Sequence, residues 1–239
     1  MYVPHRTVAC TAPKGSPEDH IQKVLAARAE ARLNSDDGGS AGAWLYDHGI
    51  QRVWLAGGAM LAGPPADLDL FPVRMAEESF LRLLDAEKQG QLLEVSVGAG
   101  TKLQLCRLQK PSLDALVAYF DFAHTQVGAE LVWSEADSEN KAAGSRYWAC
   151  SRVVTTPAWR AAMATQSTWY IKGYWPLHSL LRVPRVVAKL GLTEADGKAL
   201  ARSVVEHIVG VGIEAAAADD PKFADLLPKA ATKEPFFNE

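Results

Sequence analysis

Hydrophobic positions follow two periods along this chain. Through the middle they come in short runs or alternate with polar residues, as in strands, whereas towards both ends they recur every three to four residues, as in helices. Val53-Trp54-Leu55-Ala56 is an apolar run that enters Gly57-Gly58, which predicts a buried strand, a sharp turn and a one- to two-turn helix. Asp67-Leu68-Asp69-Leu70-Phe71 reads as the next strand, ending near Pro72. Leu92–Val97 and Lys102–Cys106 alternate around Gly98-Ala99-Gly100 and predict a hairpin. No helix start follows those glycines, so they read as a turn and not as a phosphate loop. Ala118–His124 reads as a last strand, with Asp121 set among aromatic residues.

The helical signals are equally specific. Ser16-Pro17-Glu18-Asp19 places a capping residue and a proline at a helix start, and Ile21–Leu33 continues as an Ala-rich amphipathic helix. Residues 34–40 read as a loop, and a short helix runs through Trp44-Leu45-Tyr46. Met75–Glu87 is expected to be helical, with Phe80, Leu81 and Leu84 on one face. Ser112–Val117 is a helical turn. Residues 130–141 hold a polar loop. Helices follow at roughly 157–166, 177–190 and 194–209. The expected fold is α+β: a small mixed sheet of three to five strands flanked by helices, then a mainly helical part. The expected boundary lies near residue 130, giving parts 1–130 and 131–239.

Composition narrows the class. Of 239 residues, 48% are hydrophobic, enough for a real core, and a net charge of −3 excludes a generic polyanion binder. Cys10, Cys106 and Cys150 are odd in number and lack CxxC spacing, which argues for a reducing compartment and against a disulfide framework or zinc site. The start lacks a basic-then-apolar leader pattern, and no apolar run approaches the roughly 20 residues of a membrane span. A soluble cytoplasmic protein without membrane contact is expected, in the host cytoplasm if phage-encoded. Charge is unevenly spread: Asn140–Thr193 contains no Asp or Glu and carries eight Lys or Arg, interleaved with Trp148, Trp159, Trp169, Trp175 and three tyrosines. Cations among aromatics suit phosphates and stacked bases.

The candidate chemistry sits in the middle strands. Asp67 and Asp69 lie two apart on a strand and therefore face the same way. Two such carboxylates repel each other unless a cation lies between them. Hard divalent ions favour oxygen ligands and commonly bring a nucleotide's phosphates. The Gly57-Gly58 turn exposes backbone N–H groups that can meet an anion.

The stretch Val53–Phe71, with its apolar run, Gly-Gly, short spacer and Asp-x-Asp, resembles the signature of the DNA-polymerase-β-like nucleotidyltransferase superfamily. It is most similar there to poly(A)-polymerase and CCA-adding-type enzymes and to short phage-type nucleotidyltransferases. The resemblance implies two Mg²⁺ or Mn²⁺ ions on Asp67 and Asp69 and an NTP triphosphate against Gly57 and Gly58. It also implies a third carboxylate on a neighbouring strand. Asp121 is the candidate, in a stretch similar to the Arg-Arg-Asp-Phe-Thr block of CCA-adding enzymes, and Glu94 is the substitute. Tyr119 and Phe120 replace both arginines of that block, and Thr125 stands where an asparagine belongs. Pro176–Leu192 resembles a family helix whose arginines, here Arg182 and Arg185, contact nucleotide or acceptor; Lys172 is a further triphosphate contact. Pro184 is expected to kink that helix. His124 and His178 read as ordinary hydrogen-bonded residues.

Two classes of function follow. One is a metal-dependent nucleotidyltransferase acting on an acceptor hydroxyl, with RNA (a tRNA-like 3′ end) ahead of a protein or small molecule. The other is a non-catalytic protein that retains the fold: a nucleotide- or RNA-binding, toxin–antitoxin or phage structural protein.

Overall fold

A computed structural model describes residues 13–34, 36–63, 67–73, 92–97, 101–106, 110–135, 146–172 and 175–218. The chain divides into two compact units. One holds Met1–Ala118 with Thr125–Pro157, and the other Tyr119–His124 with Ala158–Glu239.

The first unit is a mixed sheet with helices packed against it. In chain order it contains helix α1 (Pro17–Asn34), helix α2 (Asp36–Asp47), strand β1 (Arg52–Ala56), a 3₁₀ turn (Gly57–Met60) and strand β2 (Asp67–Pro72). Strands β3 (Leu92–Val97) and β4 (Thr101–Cys106), helix α3 (Leu113–Val117) and strands β5 (Val127–Glu135) and β6 (Arg146–Thr155) follow. The six strands lie in the order β3-β4-β2-β1-β5-β6. β2 and β4 run parallel, and every other neighbouring pair is antiparallel.

Register sorts the side chains onto two faces, because residues directly opposite each other share a face. Leu55 pairs with Leu70, Leu70 with Leu105 and Val53 with Leu131, and all are fully buried. Asp69 pairs with Gln104, Asp67 with Lys102, Trp54 with Phe71 and Trp54 with Glu130. One face is therefore an aliphatic core and the other carries charge. α1 buries Leu25, Ala29 and Leu33, one per turn, and packs on β5 and β6. Ser16 caps it, its Oγ accepting the Asp19 N–H at 3.1 Å.

β6 forms an outer edge of the sheet, and α1 closes part of that edge. The Asn34 amide both donates to the Trp148 carbonyl at 2.7 Å and accepts the Trp148 N–H at 2.8 Å. Glu30 accepts the Cys150 N–H at 2.8 Å. Trp148 is fully buried, and its indole N–H donates to the Gly42 carbonyl of α2 at 3.1 Å. A Cβ at residue 42 would lie 2.5 Å from the Leu33 carbonyl oxygen and 2.7 Å from the Trp148 ring, so this close packing requires glycine.

The second unit contains helices α4 (Pro157–Thr165), α5 (Pro176–Leu190), α6 (Glu194–Val211) and α7 (Ile213–Ala218). Gly191 ends α5 in the left-handed conformation, at φ 61°, and a Thr193–Asp196 capping box starts α6. Phe122, Tyr170, Val183, Val186, Leu200, Val204 and Ile208 form the core of this unit.

The α+β architecture expected from sequence is present, as are the helices at 157–165, 176–190 and 194–211. Four details differ. The sheet has six strands, since Val127–Glu135 and Arg146–Thr155 also pair. The boundary expected at residue 130 therefore falls inside β5. Residues 118–124 form no strand; Phe122 makes one isolated bridge to Tyr170, and Ala123–Thr125 is a 3₁₀ turn. Residues 36–40 belong to α2 and not to a loop. The helix expected at 75–87, the turn at 98–100 and residues 219–239 lie outside the described residues. No helix among the described residues is long and apolar enough to cross a membrane.

Candidate metal and nucleotide site

β1 delivers the chain to the turn. Gly57 has φ 68°, a left-handed conformation that a side chain would strain by about 1–2 kcal/mol. The 3₁₀ turn Gly57–Met60 closes with the Leu61 N–H on the Gly58 carbonyl at 3.3 Å. The chain returns as β2, whose burial alternates from Asp67 to Pro72. Asp67 and Asp69 thus stand on one face, half-buried, while Leu68 and Leu70 enter the core.

The charge these carboxylates concentrate is felt next door. Burial, then the Asp69 and Asp67 charges, push the Cys106 thiol of β4 well above its ordinary range. Two hard oxygen donors in a half-buried, electronegative setting fit a hard divalent cation. Among the described residues no group of three or more His, Cys, Asp or Glu gathers to hold a metal. The positions facing β2 from β4 are Lys102 and Gln104, and from β1 Trp54. Glu94 is in register with Gln104 on β3, but its side chain is not among those described.

The polar face has a third carboxylate, which takes three side-chain donors. Glu130 of β5 accepts from Arg52 Nη2 at 2.7 Å, Trp54 Nε1 at 2.9 Å and Ser151 Oγ at 2.9 Å. Burial pushes its carboxyl up, but the three donors together outweigh that and leave it below its usual range. Asp114 of α3 likewise pairs with Arg152 of β6.

Asp121 lies in the helical unit and serves a different arrangement. Ser179 Oγ donates to it at 2.7 Å, and Arg182 Nη1 reaches its two carboxylate oxygens at 3.1 and 3.0 Å. The Arg182 guanidinium also sits 5.7 Å from the centre of the Phe122 ring, a cation–π contact. The Asp121 side chain joins the 119–124 segment to α5, and its backbone carbonyl accepts the Ile171 N–H at 2.8 Å. Expected for metal and for nucleotide respectively, Asp121 and Arg182 are paired with each other.

The remaining expected residues are on or near α5. Arg185 is exposed, and the helix runs through Pro184. Lys172 is exposed in the segment before α5; burial, then its charge, hold His207 below its ordinary value. His124 is buried with Nδ1 2.8 Å from Thr168 Oγ1; burial, then the Arg182 and Lys189 charges, lower it to about 3, so it is neutral. His178 stacks on Trp175 at a ring separation of 6.4 Å.

The basic aromatic segment is less uniform than its composition. Trp148, Trp159 and Tyr170 are buried core, and Arg152 and Arg182 hold carboxylates. Arg160, Lys172, Arg185, Lys189 and Trp169 remain exposed on the helical unit.

Sequence reasoning missed Arg28 and Arg32. They lie one turn apart on α1, immediately before the buried Ala29 and Leu33, and both reach the Gly57 turn. Arg28 Nη1 donates to the Met60 carbonyl at 2.8 Å. Arg32 donates to the carbonyls of Ala59 at 3.4 Å, Leu61 at 3.2 Å and Gly63. The available signal was a pair of arginines at i and i+4 beside a buried stripe, which also describes an ordinary surface.

No protein-family model matches the chain, and no curated protein does. Among solved structures it is similar to one described as "tRNA-processing enzyme (apo form 2)", with TM-score 0.41 and 14% identity over 78% of this chain and 56% of that one. It is also similar to "The complex structure of CCA-adding enzyme with CTP", with TM-score 0.35 and 13% identity over 88% of this chain and 47% of that one. The chain spans roughly half the length of these structures.

Proposed function

We propose that this chain is a metal-dependent nucleotidyltransferase that moves a nucleoside monophosphate from an NTP to an acceptor hydroxyl. The observation that carries the reading is the unit β1–Gly57 turn–β2. It sets Asp67 and Asp69 two residues apart on the polar face, on the strand that follows a turn whose Gly57 is in the left-handed conformation. Asp67 and Asp69 would hold Mg²⁺ or Mn²⁺, which when bound neutralises phosphate charge and acidifies a bound hydroxyl. The Gly57 and Gly58 amides would meet the triphosphate. The protein's own contribution is then positioning and electrostatic stabilisation, which dominate phosphoryl chemistry. In this reading Asp121 and Arg182 organise the helical unit, and Arg185 and Lys172 are left as candidate contacts to the acceptor.

RNA is the acceptor class we favour, because Arg160, Lys172, Arg185, Lys189 and Trp169 give the helical unit an exposed basic surface with an aromatic ring. A second reading is favoured by Lys102 and Gln104, which stand where a flanking strand would supply a further carboxylate: a nucleotide-binding protein without transfer activity.

One experiment addresses both. The protein is incubated with each labelled NTP, Mg²⁺ or Mn²⁺ and total RNA, beside calorimetry of Mg²⁺·NTP binding. Label in RNA is the expected result, and label in protein or a small molecule changes the acceptor. Binding without transfer supports the second reading. No metal-dependent binding sinks both. Asp69→Asn should abolish binding that depends on Mg²⁺ while the protein stays folded.

A further inference from the structure

The carbonyl groups of the Gly57 turn are held from outside. Four of them, at Ala59, Met60, Leu61 and Gly63, accept from two guanidinium groups on α1. Such a concentration of donors on one short turn is not what a surface arginine pair normally does. Arginines at i and i+4 carry like charges on one helix face, which destabilises a helix slightly. Burial, then the Arg28 charge, indeed press the Arg32 guanidinium below its ordinary value. The fold accepts that cost beside the turn.

The turn needs outside support. It carries glycine at 57, 58 and 63, and both Gly57 and Gly63 have positive φ, at 68° and 82°. Glycine gives up more conformational freedom on ordering than any other residue. A four-residue 3₁₀ turn, whose hydrogen-bond geometry is poorer than that of an α-helix, offsets only part of that loss. An arginine fork, which is planar and offers several fixed donors, can fix more than one carbonyl at once. Arg32 does this: one nitrogen serves Leu61 and Gly63, and another serves Ala59.

We propose that Arg28 and Arg32 are positioning residues of the nucleotide site. They hold the turn by its carbonyl oxygens, so that the amides of the Gly57 end stay ordered for the triphosphate, and their paired positive charge favours an anion there. This rests on the nucleotidyltransferase reading for the identity of the ligand, whereas the clamp itself is seen directly.

The test uses the full chain and three variants, Arg28→Gln, Arg32→Gln and Arg32→Lys. Hydrogen exchange of the amides between residues 57 and 63 is followed without nucleotide. Mg²⁺·ATP affinity is measured at two salt concentrations, and melting is followed throughout. The glutamine variants should exchange these amides about tenfold faster and bind nucleotide about tenfold more weakly, with less salt dependence. Arg32→Lys keeps the charge without the fork, so it should recover the salt dependence but not the slow exchange. A tagged signature of this kind is not produced by a general loss of stability, which would raise exchange across the sheet.

Unchanged affinity in the glutamine variants, with or without faster exchange, overturns the inference. Weaker binding with unchanged exchange also overturns it, because the arginines would then touch nucleotide and not position the turn. If the wild-type chain binds no nucleotide, the parent reading fails and this one with it. If wild type binds and Asp69→Asn does not, the parent reading stands whatever the arginine variants do.

Discussion

The sheet unit and the helical unit each present carboxylates that the sequence offers for catalysis, and they use them differently. Asp67 and Asp69 lie on a strand, two residues apart, half-buried, on a face that also displays Lys102 and Gln104. Asp121 is buried, takes the hydroxyl of Ser179 and shares both oxygens with Arg182. Strand geometry holds Asp67 and Asp69 together on one face, the arrangement we propose takes up a cation, whereas Asp121 is paired with a cation of its own unit. Removing a member of the first pair should therefore change what the protein binds, and removing Asp121 should change whether its unit stays folded.

The largest expected effect comes from that second residue. Asp121→Ala strands Arg182 against Phe122 and removes hydrogen bonds to a charged group, which should destabilise the helical unit by about 2–3 kcal/mol. Urea unfolding with hydrogen exchange of the α5 and α6 amides reads this for the helical unit. Asp69→Asn in the same assay should stay within about 0.5 kcal/mol of wild type. The contrast breaks if Asp121→Ala leaves stability untouched and instead removes metal-dependent nucleotide binding.

Acid should separate the units next. His124 is neutral in the folded protein, with its value lowered to about 3 from an ordinary 6.5. The unfolded chain thus binds the extra proton first. The stability contributed by neutral His124 is complete above about pH 6.5 and drains away as pH falls towards 3. Glu130 is also depressed, from an ordinary 4.5, so its contribution is present above that value and is lost as pH falls through its lower folded value. The helical unit should weaken first on acidification, with the Glu130 contribution following at lower pH. His124→Asn should flatten the helical unit's dependence between pH 6.5 and 4.5; an unchanged slope there would remove His124 as its cause.

The smallest change in stability is expected on the exposed face of α5. Arg185→Ala with Lys189→Ala should leave unfolding within about 0.5 kcal/mol of wild type. If that surface tracks RNA phosphates, the same double variant should lower the salt slope of RNA binding by about two. An unaltered slope would make these cations plain solvated charge.

What the sequence made legible depended on how many independent signals met at one place. Around Val53–Phe71 an apolar run, a glycine pair and strict alternation agree, and both strands and the turn form there. The capped start at Ser16 marks its helix for the same reason. β5 was illegible because Gly128 and Glu130 interrupt its pattern. Gly128 is there because α3 packs close, with a Cβ at that position meeting Leu113 and Val117 at 2.9 Å. Glu130 is there because Arg52 and Trp54, from a distant part of the chain, supply its donors. The start of α2 looked like a loop because its glycines disfavour helix, and local sequence does not show that Gly42 is matched to Trp148. Asp121 had no spacing to test, since its partners lie 58 and 61 residues further on.

The seal on the β6 edge has a consequence for how this chain is made. The side chains that close it, Glu30 and Asn34, leave the ribosome before their strand partners, which arrive 114 to 120 residues later. During that interval α1 has no edge to cover. Once β6 has paired with β5, its outward N–H and C=O groups are open until α1 docks, and an open strand edge is a template for another chain. Contacts this distant in sequence form slowly, because a long loop must close before they contribute. α1 is thus made before β6 but acts only after β6 has paired, and the interval between that pairing and the docking of α1 is when neighbouring nascent chains on one messenger are most exposed to each other.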